Sequence, residues 1–399
     1  MSFKVEPEDL DGYAKMLSRA EKDLVAGGTH VDKKANLSTS GAASTVWSQV
    51  VEIHSTNTTD AKALFNGFEQ VLGSSSDELI RSAQYYRQTD EQQAANVDAT
   101  YPGGRGAPSG GAAVGGGAFA GLGGLNLPGA GFADRSNPTD SLESDPGQSG
   151  WKDRWDGLAG DRVDGVLDND NGALGGLGEA VGVVLDFTSP SVLINEGLKL
   201  AFNFDLFDMV ANWIAGDWDS FEQCATTWRQ LGDLCKAVAE NIAFGNSLLS
   251  NSWTGQSAAQ AYDYFSTAAQ KLDSAQETFN ALCTCYEEIG RQINAFVNMV
   301  KACMSTILDL ALIAALEAAA GAAAGFTGVG LVVTAAAAAS IALKIAKMVQ
   351  LADRMATGLT GVYLAIQAAQ ASGQAATAAK LADVKSFPRP GSSYDHQAV

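Results

Sequence analysis

Apolar side chains recur at every third or fourth position through four stretches of the chain, the spacing of one face of an α-helix. The first stripe is Leu10, Tyr13, Leu17, Ala20 and Leu24, within a helix predicted over residues 8–37. Pro7 stands just before it, where a first helical turn tolerates proline. A polar, small-residue stretch follows, with a short apolar insert at Val46, Trp47, Val50 and Val51. A second helix is predicted from about Thr59 to Ala95, with Leu64, Phe68, Val71, Leu72, Leu79, Ala83 and Tyr86 on one face. Two long helices with one connection make an antiparallel hairpin.

The second half repeats this arrangement at greater length. Trp218, Phe221, Ala225, Trp228, Leu231, Leu234, Val238 and Ile242 stripe a helix over residues 217–248. After Ser250–Gln256 a longer helix starts near Ala258. Its stripe runs Tyr262, Phe265, Ala269, Leu272, Gln276, Phe279, Leu282, Tyr286, Ile289, Ile293, Phe296 and Val300. Beyond Lys301 the chain turns strongly apolar, and residues 318–343 contain no charged side chain. That length exceeds the ~20 residues needed to cross a bilayer. The run is mostly Ala and Gly, however, and GFTGVG interrupts it at 325–330, so it reads as two close-packed helices with a glycine turn.

The expected fold is therefore all-α. An N-terminal hairpin (1–100) and a second hairpin (205–304) are joined by a disordered Gly/Pro/Ser-rich linker (101–150) and an acidic connection (151–204). An apolar helical pair (305–384) and a polar tail (385–399) follow. The linker's glycine clusters are not phosphate loops, because no strand precedes them and no Gly-Lys-Ser/Thr follows. Asp168–Gly172 resembles the opening of a calcium loop, but Ala173 stands where that loop requires glycine.

Charge narrows the choice of partners. A net charge of −19 argues against nucleic acid, whose phosphates call for basic patches. The N-terminus has no basic segment followed by an apolar core, so no Sec or Tat leader is expected. Five cysteines and three histidines include no C-x-x-C, no His-Glu-x-x-His and no Gly-x-Ser-x-Gly, so no cofactor, metal or catalytic centre is expected. His30 and His54 read as solvated residues near the tip of the first hairpin; Trp218 and Trp228 read as core.

Two short motifs stand out by placement. Trp253-Thr-Gly255 sits at the corner between two long stripes, and Tyr86-Arg-Gln-Thr-Asp90 ends the first hairpin just before the linker. Each pattern is expected about once by chance in a chain of this composition; a second Trp-x-Gly, Trp155–Gly157, follows directly on the linker and has no helix before it. A tyrosine and a carboxylate at i, i+4 form one surface patch that a receptor reads.

On these residues the 205–304 hairpin resembles the WXG proteins, helical-hairpin substrates of type VII (ESX) secretion in actinobacteria. The first 100 residues resemble the ESX secretion-associated group, which carries a Tyr-xxx-Asp/Glu signal after its hairpin. The combination is similar to the N-terminal region of secreted actinobacterial toxins, although no toxin domain is legible after the last helix. The resemblance implies that Tyr86 and Asp90 form an export signal and that Trp253 and Gly255 form the turn read by the secretion ATPase. It further implies a secreted, extracellular or envelope-associated protein, paired with a small WXG partner or chaperone or with itself. This sequence departs from the pattern in that the first hairpin has Trp47-Ser-Gln49, without a glycine, and in that the two signals lie on different hairpins.

An oxidising exterior would allow disulfides. Cys224 and Cys283 lie at nearly equal sequence distance on either side of Trp253, which predicts a bridge between them, with Cys285 as the rival. Cys224 and Cys235 are excluded as a pair, since eleven residues of straight helix hold them about 16 Å apart. The functional expectation is a non-enzymatic effector or carrier acting by helical protein contacts. The alternative is a membrane-active or pore-forming protein using residues 305–350.

Overall fold

A computed structural model describes residues 3–37, 44–89, 131–143, 216–324 and 330–388, with a few single positions between them. Among the described residues there are five long α-helices and no strand: α1 (Pro7–Lys34), α2 (Thr45–Gln88), α3 (Trp218–Leu249), α4 (Gln256–Ala324) and α5 (Gly330–Lys385). The all-α fold expected from the stripes is thus the fold observed. The acidic Asp168–Gly172 stretch lies outside the described residues.

Helix α2 begins much earlier than its sequence stripe. Ser44 caps it, its hydroxyl accepting from the Trp47 amide at 3.0 Å, and Val46, Trp47, Val50 and Ile53 are buried. The short apolar insert is therefore the helix's own first three turns. On α4 the buried tyrosine near the start is Tyr264, bonded to Ser75, and Tyr262 is only half-buried.

Passing around the bundle, α3 packs on α1, α1 on α2, α2 on α5, α5 on α4 and α4 back on α3. Side chains of α2 and α4 also meet across the middle. Phe65 stacks on Phe279 with ring centres 5.5 Å apart, and His54 meets Tyr286. Trp228 is fully buried against Phe279 and Tyr286, as the sequence reading of Trp218 and Trp228 as core requires. Close approach of α1 and α3 depends on Gly245, where a Cβ would stand 2.5 Å from Tyr13 and Met16.

Two expectations are corrected. His30 and His54 are buried, not solvated, with 9% and 5% of their surface exposed. His30 Nε2 meets Gln230 Oε1 of α3 at 2.9 Å. His54 Nε2 donates to the Ala35 carbonyl at 2.8 Å, which leaves Nδ1 to accept from the Tyr286 hydroxyl at 2.9 Å; Asn57 donates to the same hydroxyl. His54 is thus satisfied at both nitrogens as a neutral ring, and both imidazoles join the two hairpins.

The second correction concerns the linker. Residues 131–143 form an ordered strap across α1 and α3, closing with a 3-10 turn at Pro138–Leu142. Phe132 is buried against Tyr13. Arg19 grips both Asp134 carboxylate oxygens at 2.7 and 3.0 Å and the Phe132 carbonyl at 2.6 Å. Asn241 accepts from the Arg135 amide and donates to the Ser136 carbonyl. The glycine-rich composition of the linker does not extend to this piece, which has one glycine, a proline and an aromatic anchor.

Candidate functional site

The corner between α3 and α4 is built from local hydrogen bonds. The amides of Ser252 and Trp253 both donate to the Leu249 carbonyl, at 3.1 and 2.9 Å, and tighten the chain past the end of α3. Gly255 then takes a φ of 136°, in the left-handed region that side chains resist. Its carbonyl accepts from Ala259 at 3.2 Å and starts α4. Tryptophan and glycine therefore have separate duties. Gly255 reverses the chain, and Trp253, with 4% of its surface exposed, plugs the end of the bundle.

The N-terminal segment is laid onto this corner. Lys4 and Thr254 exchange both backbone hydrogen bonds, at 3.2 and 2.8 Å, and the Glu6 amide donates to Ser252 at 3.1 Å. The end of α2 arrives at the same place. The Tyr86 ring lies 6.3 Å from Trp253 and 5.7 Å from Phe3, and its hydroxyl is 3.4 Å from Ser257 Oγ. Arg87 fixes that helix end by reaching Asp11 at 2.5 Å and Glu8 at 3.6 Å on α1.

Tyr86 and Gly255, far apart in sequence and on different hairpins, thus share one end of the bundle. The antiparallel packing of α2 on α4 dictates this, because it sets the end of one beside the start of the other. Asp90 lies outside the described residues. Phe3, Lys4 and Ser257 carried no sequence signal; only the fold brings them to this end.

The predicted Cys224–Cys283 bridge is absent, and all five cysteines carry free thiols. The register of α3 on α4, set by Gly232 against Phe279 and Asn246 on the Tyr262 carbonyl, is the reason. It places Cys224 beside Tyr286, about one turn beyond Cys283. Cys283 instead faces Arg229 at 3.4 Å and Glu287 at 3.6 Å. Burial, with Asp217 nearby, pushes the Cys224 thiol up to about 12, so it is no nucleophile at neutral pH. Burial also raises the Cys235 and Cys283 thiols. Among the described residues no three His, Cys, Asp or Glu side chains converge to hold a metal ion.

What this end of the molecule offers is a shaped surface: a half-buried tyrosine, a plugged tryptophan corner and a pinned N-terminal segment. No protein-family profile matches the chain, and neither a curated protein nor a solved structure is similar to it.

Proposed function

We propose that the chain is a substrate of type VII secretion, exported as a folded helical bundle and acting outside the cell through protein contacts without catalysis. The observation that carries this reading is the meeting of Tyr86 with the Trp253–Gly255 corner at one end of the bundle. The motifs lie on separate hairpins in sequence; folding brings them to one end of the bundle, where the buried Trp253–Gly255 corner shapes the half-buried Tyr86 surface that one receptor, the secretion ATPase, would read. Asp90, four residues past Tyr86, completes the signal in this reading. α1 packs on α3 and side chains of α2 meet α4, so in this reading the hairpin partner of α3–α4 is supplied by the same chain. The N-terminal hairpin therefore takes that partner's place.

Export is the test. In a type VII-competent actinobacterium, the unmodified chain is expected in the culture filtrate and is retained in the pellet when the secretion ATPase is deleted. Tyr86→Ala and Asp90→Ala should be retained in the pellet even with the ATPase present, while melting close to the unmodified protein. Undiminished export of both variants would overturn the proposal.

A further inference from the structure

We propose that the distal arm of the α4–α5 hairpin dips into a lipid bilayer from one side, leaving the five-helix bundle in water. The Glu317–Lys344 ion pair marks the depth at which insertion stops. Phe221 of α3 stacks on Tyr286, and Trp47 of α2 meets Trp218 of α3, so both helices begin where α4 has reached that level. Beyond Tyr286 α4 runs on for about 57 Å to Ala324, with α5 alongside it.

Three observations carry the proposal. First, an 18-residue stretch within Ala335–Lys385, reaching below Lys344, is apolar enough by composition to cross a membrane, yet only 6% of it is buried. The core helix of a soluble protein would be covered over such a stretch, and this one is not. Leu343 is 73% exposed, and Ala335, Ala336, Ala338, Ala339 and Ala342 are exposed with it. Second, Lys344 Nζ reaches both Glu317 oxygens, at 2.9 and 3.0 Å, and the Ser340 hydroxyl at 2.7 Å. The last charges before the apolar arm thus neutralise each other across the two helices at one height. Third, charge disappears from both helices beyond that height. Below it stand exposed Asp309 on α4 and exposed Lys347, Asp353 and Arg354 on α5; between Glu317 and Lys344 the sequence has no charged residue.

A boundary level on two helices, and all round both, fits a plane. A second protein copy would instead leave an apolar stripe along one face and charges on the other. The arm's length argues for dipping over crossing. The fifteen residues Gly330–Lys344 span about 21 Å along the helix axis, short of the ~30 Å hydrocarbon core and its headgroup layers. Along the helical lengths of α4 and α5 the backbone polar groups bond within each helix, as lipid requires.

The test uses the full chain and phosphatidylcholine vesicles. The unmodified protein should float with the vesicles, and Ala338→Glu should lower the bound fraction by about tenfold or more without changing helicity or melting. An environment-sensitive fluorophore is then attached at Ala338→Cys or at Leu364→Cys, each in a Cys285→Ser background. Leu364 is 62% exposed on the same helix, below the ion pair. The label at 338 should brighten and shift to the blue with lipid, and the label at 364 should not. Three results would overturn the proposal: no flotation, equal responses from the two labels, or a response at 338 that needs no lipid and grows with protein concentration.

Discussion

The five-helix bundle and the α4–α5 arm are made from the same helices by opposite means. In the bundle, α4 presents Phe265, Phe279 and Tyr286 inward, and they interlock with Tyr13, Phe65, Trp228 and Phe221 of three other helices. Buried polar groups pin the seams: His54, Asn57 and Tyr286 between the hairpins, His30 with Gln230 between α1 and α3. In the arm, the described positions 335–343 are mostly alanine and carry no charge, and one Glu–Lys pair pins the two helices. Large rings and oriented hydrogen bonds specify one arrangement of many helices; small residues let two helices lie close but specify little beyond that.

The largest expected effect breaks the bundle side of this contrast. Trp228→Ala removes a fully buried indole that touches α2 and α4 together and should cost about 3–5 kcal/mol in chemical denaturation. Leu343→Ala, on the exposed arm, should change stability by less than about 0.5 kcal/mol in the same assay. Similar losses from both variants would mean that the arm is as tightly specified as the bundle.

The sequence carried the helices of the second half well, because their apolar stripes are long and rich in aromatic residues. It misplaced the start of α2, since Val46, Trp47 and Val50 form only a short stripe and Ser44 was not read as a cap. It also misread His30 and His54. A lone histidine in a polar stretch gives no sign of the carbonyl or tyrosine that will face it from another helix. The site was half legible. Tyr86 and the Trp253 corner stood out locally, but their meeting depends on how two hairpins separated by the linker pack. No local pattern encodes that register, and the same ignorance produced the Cys224–Cys283 pairing. The strap was lost for a different reason: composition averaged over the linker conceals thirteen residues that are unlike the rest.

An intermediate effect probes the polar pins. Burial holds the imidazoles of His30 and His54 below the ordinary histidine value. Near pH 8 neither folded nor unfolded chain protonates them. As pH falls through about 6.5, the unfolded chain takes up protons that the folded chain refuses, so stability should decline on acidification. Thermal melts from pH 8 to 5 measure this. His54→Gln, which keeps a donor for Ala35 and an acceptor for Tyr286, should flatten part of the decline. His54→Leu should cost about 1–3 kcal/mol at neutral pH by leaving the Tyr286 hydroxyl and the Ala35 carbonyl without their partner. An unchanged acid limb in His54→Gln would assign the decline elsewhere.

The smallest effect concerns the strap, and its sign is opposite. Asp23 on α1 is pushed up to about 6 by burial and by the neighbouring Asp134, against the pull of Arg19. Its folded value lies above the unfolded one, so the folded, strapped form holds a proton between about pH 4 and 6 that the unfolded chain has released. The strap's hold should therefore be strongest below that window and weaken as pH rises through 6, where two carboxylates come to share one arginine. Amide exchange at Arg135, whose N–H donates to Asn241, reports on the strap without unfolding the bundle. After correction for intrinsic rates, its protection should drop a few-fold from pH 5 to pH 7, a modest change because solvent reaches the cluster. Asp23→Asn should hold protection level across that range, and Arg19→Ala should lower it at both ends. A strap that loosens on acidification, along with the histidine seams, would show that the carboxylate pair has no part in docking it.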